Sequence, residues 1–165
     1  MYKTAFYSFY LPVALAMHVC GIAPTSGSND PYTLASSILV PLGTYFQVQD
    51  DFLDFSAPPE ILGKIGTDII DNKCSWCINV ALAHASSEQR AVLDANYGRK
   101  NPEAEAKVKE VFEQVGIREK YAVYEEGAYK EIMGLIETIP VEGSKDGLKR
   151  EVFKSFLDKI YKRQK

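Results

Sequence analysis

Three cysteines, two histidines and one tryptophan in 165 residues leave little material for several common chemistries. Cys20, Cys74 and Cys77 do not make a disulfide framework. Cys74-Ser75-Trp76-Cys77 has the spacing of a redox or zinc half-site, but no second Cys or His pair accompanies it. Helical spacing places these thiols on one face, beside Trp76, Ile78 and Val80, so buried, reduced cysteines are expected, as in cytosolic proteins. His18 and His84 fall in apolar helical stretches and are expected as core or surface histidines. Long apolar runs are also missing. The stretch from Phe6 to Cys20 is interrupted by Ser8, Pro12 and His18, short of the roughly 18 residues of a membrane span. A basic segment leading into a clean apolar core is absent as well, so no signal peptide is expected. A net charge of −3, from 19 basic and 22 acidic residues, gives no footprint for nucleic acid, and no nucleic-acid-binding motif is visible. The expected setting is the cytoplasm.

What is present is ordinary for a globular chain, 46% hydrophobic and 25% charged, with enough length for one domain and its core. Strand-like alternation, repeats and low-complexity tracts are lacking. Helical spacing predicts an all-α single domain over residues 1–165, with antiparallel helices on short connections. Residues 3–19 read as one apolar helix kinked at Pro12. Asn29-Asp30-Pro31 supplies a cap and a first-turn proline for the next helix. That helix carries Leu34, Ile38, Leu42, Tyr45 and Phe52, and Pro41 predicts a bend or a split in it. Ser56-Ala57-Pro58-Pro59 reads as a loop. A helix is expected over residues 70–85. Ser86-Ser87-Glu88-Gln89 caps another that stops at Gly98. Asn101-Pro102 starts the next, with Val108, Val111, Phe112 and Val115 as its buried stripe and Gly116 as its stop. A long helix over 117–139 ends before Pro140, residues 141–147 form a linker, and residues 148–161 close the fold.

Against this background one stretch carries chemistry. Asp50-Asp51-Phe52-Leu53-Asp54 stands at a helix end, followed by Gly63-Lys64-Ile65-Gly66-Thr67-Asp68 and then Lys73. Residues four apart share a helix face, so Asp50 and Asp54 point the same way with Asp51 beside them. Oxygen ligands suit a hard cation, and Mg2+ takes one or two carboxylates, several waters and phosphate oxygens. Lys64 and Lys73 add positive charge for a diphosphate. Acidic triplets are usually just solvated. Here, however, Phe46, Phe52, Leu53 and Phe55 make the segment apolar, and carboxylates near an apolar face are costly without a cation or donors. The negative end of the helix dipole adds to that cost, which a bound cation would offset. Gly63 and Gly66 frame Lys64 and allow close backbone approach, although a plain turn would use them equally well.

Gln47-Val48-Gln49-Asp50-Asp51-Phe52-Leu53-Asp54, Gly63-Lys64-Ile65-Gly66-Thr67-Asp68 and Asp71-Asn72-Lys73-Cys74-Ser75-Trp76, in this order, resemble the eukaryotic-type farnesyl diphosphate synthases. The resemblance extends from Tyr2-Lys3-Thr4-Ala5-Phe6-Tyr7 and Phe9-Tyr10-Leu11-Pro12, through Glu125-Glu126, to Ile160-Tyr161-Lys162-Arg163. Residues 23–33 are least similar. Family members carry two aspartate-rich motifs and this sequence holds only the second, so the resemblance is to the C-terminal half. It implies the helical bundle of the isoprenoid synthase fold, in part, and exposed faces that favour association.

The resemblance also implies a reaction. Diphosphate leaves an allylic substrate (dimethylallyl or geranyl diphosphate), the double bond of isopentenyl diphosphate attacks the allylic carbon, and a proton is lost to give farnesyl diphosphate. Up to three Mg2+ ions serve the complete family site. Asp50 is implied as chief metal ligand, with Asp51 and Asp54 in support. Lys3, Lys64 and Lys73 are implied as diphosphate contacts, with Asp50, Lys3 and Lys64 closest to the chemistry. Thr4 and Gln47 would line the pocket, and the basic tail Lys162, Arg163 and Lys165, interrupted by Gln164, would close the isopentenyl diphosphate site. Family members act as homodimers, which is the association expected. Two other readings stay open: a non-catalytic regulatory or decoy partner of a full-length synthase, and a plain Mg2+–diphosphate-binding module.

Overall fold

The computed structural model describes residues 2–27, 29–63, 65–140 and 147–163. Lys64, the greater part of the 141–147 linker, Gln164 and Lys165 lie outside the described residues. Every regular element among the described residues is helical. A π-helix, Tyr2–Tyr10, leads into α1, Leu11–Val19. Then come α2 (Pro31–Ser56), α3 (Pro59–Leu62), α4 (Trp76–His84) and α5 (Ser87–Asn96). They are followed by α6 (Pro102–Gln114), α7 (Ile117–Glu137) and α8 (Arg150–Ile160). The chain divides into two compact units, one of residues 1–47 and 125–163, the other centred on residues 48–124.

In the first unit, the expected single helix over residues 3–19 is two helices of different winding. Pro12 stands in the first turn of α1, directly after the π-helix, and its missing N–H leaves a gap in the hydrogen-bond ladder where the winding changes. The π-helix before it spaces its hydrogen bonds five residues apart, a rare form. Its Ala5 is fully buried. Gly43 of α2 lies so near it that a β-carbon there would come within 2.5 Å of the Ala5 α-carbon and 2.9 Å of the Phe9 ring. α2 begins as the sequence suggests. The Asp30 carboxylate accepts the Thr33 N–H at 2.8 Å ahead of Pro31. Pro41 does not split α2, which runs unbroken through it. Tyr45, wholly buried, donates its hydroxyl to Glu125 at 2.7 Å, giving a buried carboxylate a charge-assisted partner. Arg150 ties α8 back to the end of α7, donating to the Ile139 carbonyl at 2.7 Å and pairing with Glu137 at 2.6 Å.

The second unit has a core of Phe55, Ile69, Cys77, Ile78, Ala81, Leu93, Val108, Val111, Phe112 and Ile117. Each large side chain fully buried there stabilises the fold by about 1.5–3 kcal/mol before entropy is subtracted. α6 packs against α5 and α4. The Phe55 ring meets Phe112 edge-on at 5.2 Å, and Phe52 stacks on Tyr121 at 3.8 Å. The predicted cap of α5 is a full capping box between Ser86 and Gln89. Three expectations need correction. The helix expected over 70–85 starts only at Trp76, because Asn72 adopts a left-handed φ of 55° and Ser75 caps the helix after it. The loop expected over Ser56-Ala57-Pro58-Pro59 is shorter, since Ser56 still belongs to α2 and Pro59 opens the short helix α3. Of the three thiols only Cys77 is buried, since Cys74 precedes α4 and Cys20 follows α1.

Candidate functional site

α2 delivers Asp50, Asp51 and Asp54 in its last two turns, and the three carboxylates part company there. Asp50 is exposed. Asp51 turns toward the start of α4 and accepts the Trp76 N–H at 2.7 Å. Burial, only partly offset by that hydrogen bond, holds the Asp51 carboxyl above the usual aspartate range. Asp54, 9% exposed, points at the loop ahead: it accepts the N–H of Asp68 at 2.9 Å and of Thr67 at 3.3 Å. The Gly66 backbone lies directly against the Asp54 carbonyl, where no side chain fits.

Beyond this loop Lys73 pairs with Asp68 at 2.5 Å, and that hydrogen bond holds the ammonium above its ordinary range. The Lys73 N–H closes the turn on the Asp68 carbonyl at 3.0 Å. Asp50, Asp51, Asp54 and Lys73 are thus gathered within one unit and one continuous stretch of chain.

Of the remaining expected site residues, Lys64 and Lys165 lie outside the described residues, and the others belong to the first unit. Lys3 is exposed and Thr4 half-buried on the π-helix. Gln47 is half-buried on α2. Arg163 lays its guanidinium over the Phe46 ring, 4.0 Å from the centroid. Its neighbour Lys162 is held charged by the Tyr161 hydroxyl and by Glu126, its ion-pair partner at 3.1 Å. Asp68, the partner of Lys73, and Tyr97, whose hydroxyl lies 2.7 Å from the Lys73 carbonyl, were not singled out from the sequence. The only signal for Asp68 was its place at the end of the Gly-Lys-Ile-Gly-Thr-Asp run, and Tyr97 had none beyond a glycine next to it.

The sequence profile described as "Polyprenyl synthetase" matches residues 1–115. The chain belongs to that family. It is 69% identical, over 170 aligned residues, to a farnesyl pyrophosphate synthase of Ganoderma lucidum, covering all of this chain and 47% of that protein. The corresponding synthase of Schizosaccharomyces pombe is 54% identical and 46% covered. The chain therefore spans about half the length of these relatives. Among solved structures, a T. brucei farnesyl diphosphate synthase complexed with risedronate aligns over 99% of this chain and 44% of its own, with a TM-score of 0.89 at 37% identity.

Among the described residues no group of three His, Cys, Asp or Glu side chains converges into a metal cage. Mg2+ does not require one, because water and phosphate oxygens complete its shell. Asp50 and Asp51 fit such an open site. Asp54 would have to give up backbone hydrogen bonds to join it directly.

Asp51 provides a test. Its raised carboxyl means the folded state binds a proton more tightly than the unfolded chain. Stability is therefore lost as pH rises from the ordinary aspartate range through the raised value. Asp51→Asn, which still accepts the Trp76 N–H, is expected to melt higher than the parent at neutral pH without metal. The difference should close in acid, and the variant should gain less from Mg2+ with diphosphate. Thermal melts at pH 3 and pH 7 check both directions, and a lower neutral melting temperature would contradict the reading.

Proposed function

We propose that this chain forms part of a prenyltransferase that joins an allylic diphosphate to isopentenyl diphosphate and releases diphosphate, with farnesyl diphosphate as product. One observation carries the reading. The aspartate-bearing end of α2 and the Lys73 turn are held in one unit by the Asp54 carboxylate, setting acceptors for a cation beside a donor for a phosphate. Asp50 and Asp51 would hold Mg2+, with Asp54 in support, and Lys73, Lys64 and Lys3 would contact diphosphate oxygens. A bound Mg2+ would neutralise the charge of the diphosphate. Thr4 and Gln47 would line the substrate pocket, and Arg163 would close the isopentenyl diphosphate site. Fixed cations need no reorganisation as charge builds on the leaving group, which is how they lower the barrier. The setting is the cytoplasm and the assembly a homodimer, as in the family. No described helix is long and apolar enough to cross a membrane.

Two measurements test the proposal. A melt of the 165-residue chain with Mg2+ and inorganic diphosphate together should rise above that with either alone. Ligand at a hundred times its dissociation constant adds about 2.7 kcal/mol. For the whole reaction, the matching segment of the Ganoderma lucidum synthase is replaced by this chain. The chimera is expected to incorporate isopentenyl diphosphate. A folded chimera with no turnover would count against the prenyltransferase reading, and an unmoved melt would count against the diphosphate site.

A further inference from the structure

The turn that carries Lys73 has no regular structure of its own. Between Gly66 and Ser75 the backbone is neither helix nor strand, and Asn72 stands in the left-handed region. Asn tolerates that conformation better than most residues, yet it still needs support from outside. On one side of Lys73 and Cys74 lies a cavity of about 320 Å3, lined also by Ile78, Asn79, Leu82 and Tyr97. Packing therefore does not brace the segment there.

The tethers come instead from the end of α5. Tyr97 is its C-cap residue. Its hydroxyl lies 2.7 Å from the Lys73 carbonyl and 3.4 Å from the Asp68 carbonyl. The next residue, Gly98, donates its N–H to the Ile69 carbonyl at 2.9 Å. It has φ 75°, and a β-carbon on it would come within 2.8 Å of the Asn72 side chain. One phenol thus spans the backbones of both partners in the Lys73–Asp68 ion pair. Burial pushes that phenol up to about 12, so it stays a donor across the working range.

We propose that Tyr97 is a positioning residue: its hydroxyl fixes the spacing of Asp68 and Lys73, and so aims the Lys73 ammonium at the diphosphate. This rests on Lys73 being a diphosphate contact, as argued above. Tyr97 does not touch the substrate. It acts through Lys73, from a helix that the aspartate motif does not touch in sequence.

Tyr97→Phe keeps the ring and removes the hydroxyl. Two readouts on the 165-residue chain test it. The first needs no ligand: the Lys73 ammonium 1H–15N signal, displaced in the parent by its ion pair with Asp68, should move toward that of a free lysine. Asp68→Asn, which leaves Tyr97 intact, should do the same. The second is calorimetric binding of inorganic diphosphate with Mg2+. Loss of one hydrogen bond's worth of positioning weakens it about fivefold. That loss should disappear when Tyr97→Phe is made in a Lys73→Met background. An unchanged ammonium signal overturns the proposal, as does an equal fold-loss in both backgrounds, which would make the hydroxyl a general support of the fold. If the parent binds no diphosphate but the signal still responds, the diphosphate reading fails and the Tyr97–Lys73 link stands.

Discussion

Gly66→Ala is expected to remove the response to Mg2+ and diphosphate and to lower stability in the same stroke. The added β-carbon would meet the Asp54 backbone carbonyl and come within 3.0 Å of the Asp54 carboxylate. Backbone cannot swing aside as the tip of a side chain can. Overpacking of this kind costs about 1–3 kcal/mol. If the loop retreats instead, the Thr67 and Asp68 N–H groups leave the Asp54 carboxylate, and hydrogen bonds to charged groups contribute about 1.5–3 kcal/mol each. Either route moves Asp68, and with it the partner of Lys73. Urea unfolding with and without Mg2+ and diphosphate measures both parts. A variant with parental stability and an intact ligand shift would show that the close approach of Gly66 to Asp54 does not matter.

Gly43→Ala should also be destabilising, and here the sign is what matters. Alanine inside a helix is normally better than glycine by about 1 kcal/mol. At Gly43 the new methyl would lie 2.5 Å from the Ala5 α-carbon and 2.8 Å from its β-carbon, with Ala5 completely buried. The overpacking cost of about 1–3 kcal/mol outweighs the propensity gain. A net loss of up to roughly 2 kcal/mol follows. Gly127→Ala is the control. It lies on α7 with nothing within 4 Å of its would-be β-carbon, and it should stabilise. A Gly43→Ala variant that melts higher than the parent would refute the close contact.

These glycines show where the sequence could be read and where it could not. The starts of α2, α5 and α6 were legible because their caps are local: Asp30, Ser86 and Asn101 each accept an N–H two or three residues on. The identity of the aspartate and lysine motifs was legible through family likeness. The separate orientations of the aspartates were not. Asp54 is turned by a loop 14 residues further along, and Asp51 by an N–H 25 residues away. The late start of α4 was hidden for the same reason, since Tyr97 and Gly98 hold residues 68–73 in a turn from more than twenty residues downstream. Glu125 sits buried under Tyr45, 80 residues distant. The π-helix had no signature either, since apolar spacing was read against α periodicity.

That π-helix has a further consequence for Lys3 and Thr4. Its wider coil stacks each residue over the one five ahead rather than four. Rewinding to the α pitch would swing both side chains around the axis and carry Ala5 away from Gly43. The contact at Gly43 thus acts as a ratchet pawl on the winding. The bearing of Lys3 is set by a notch on α2, and a single methyl in that notch would re-aim it.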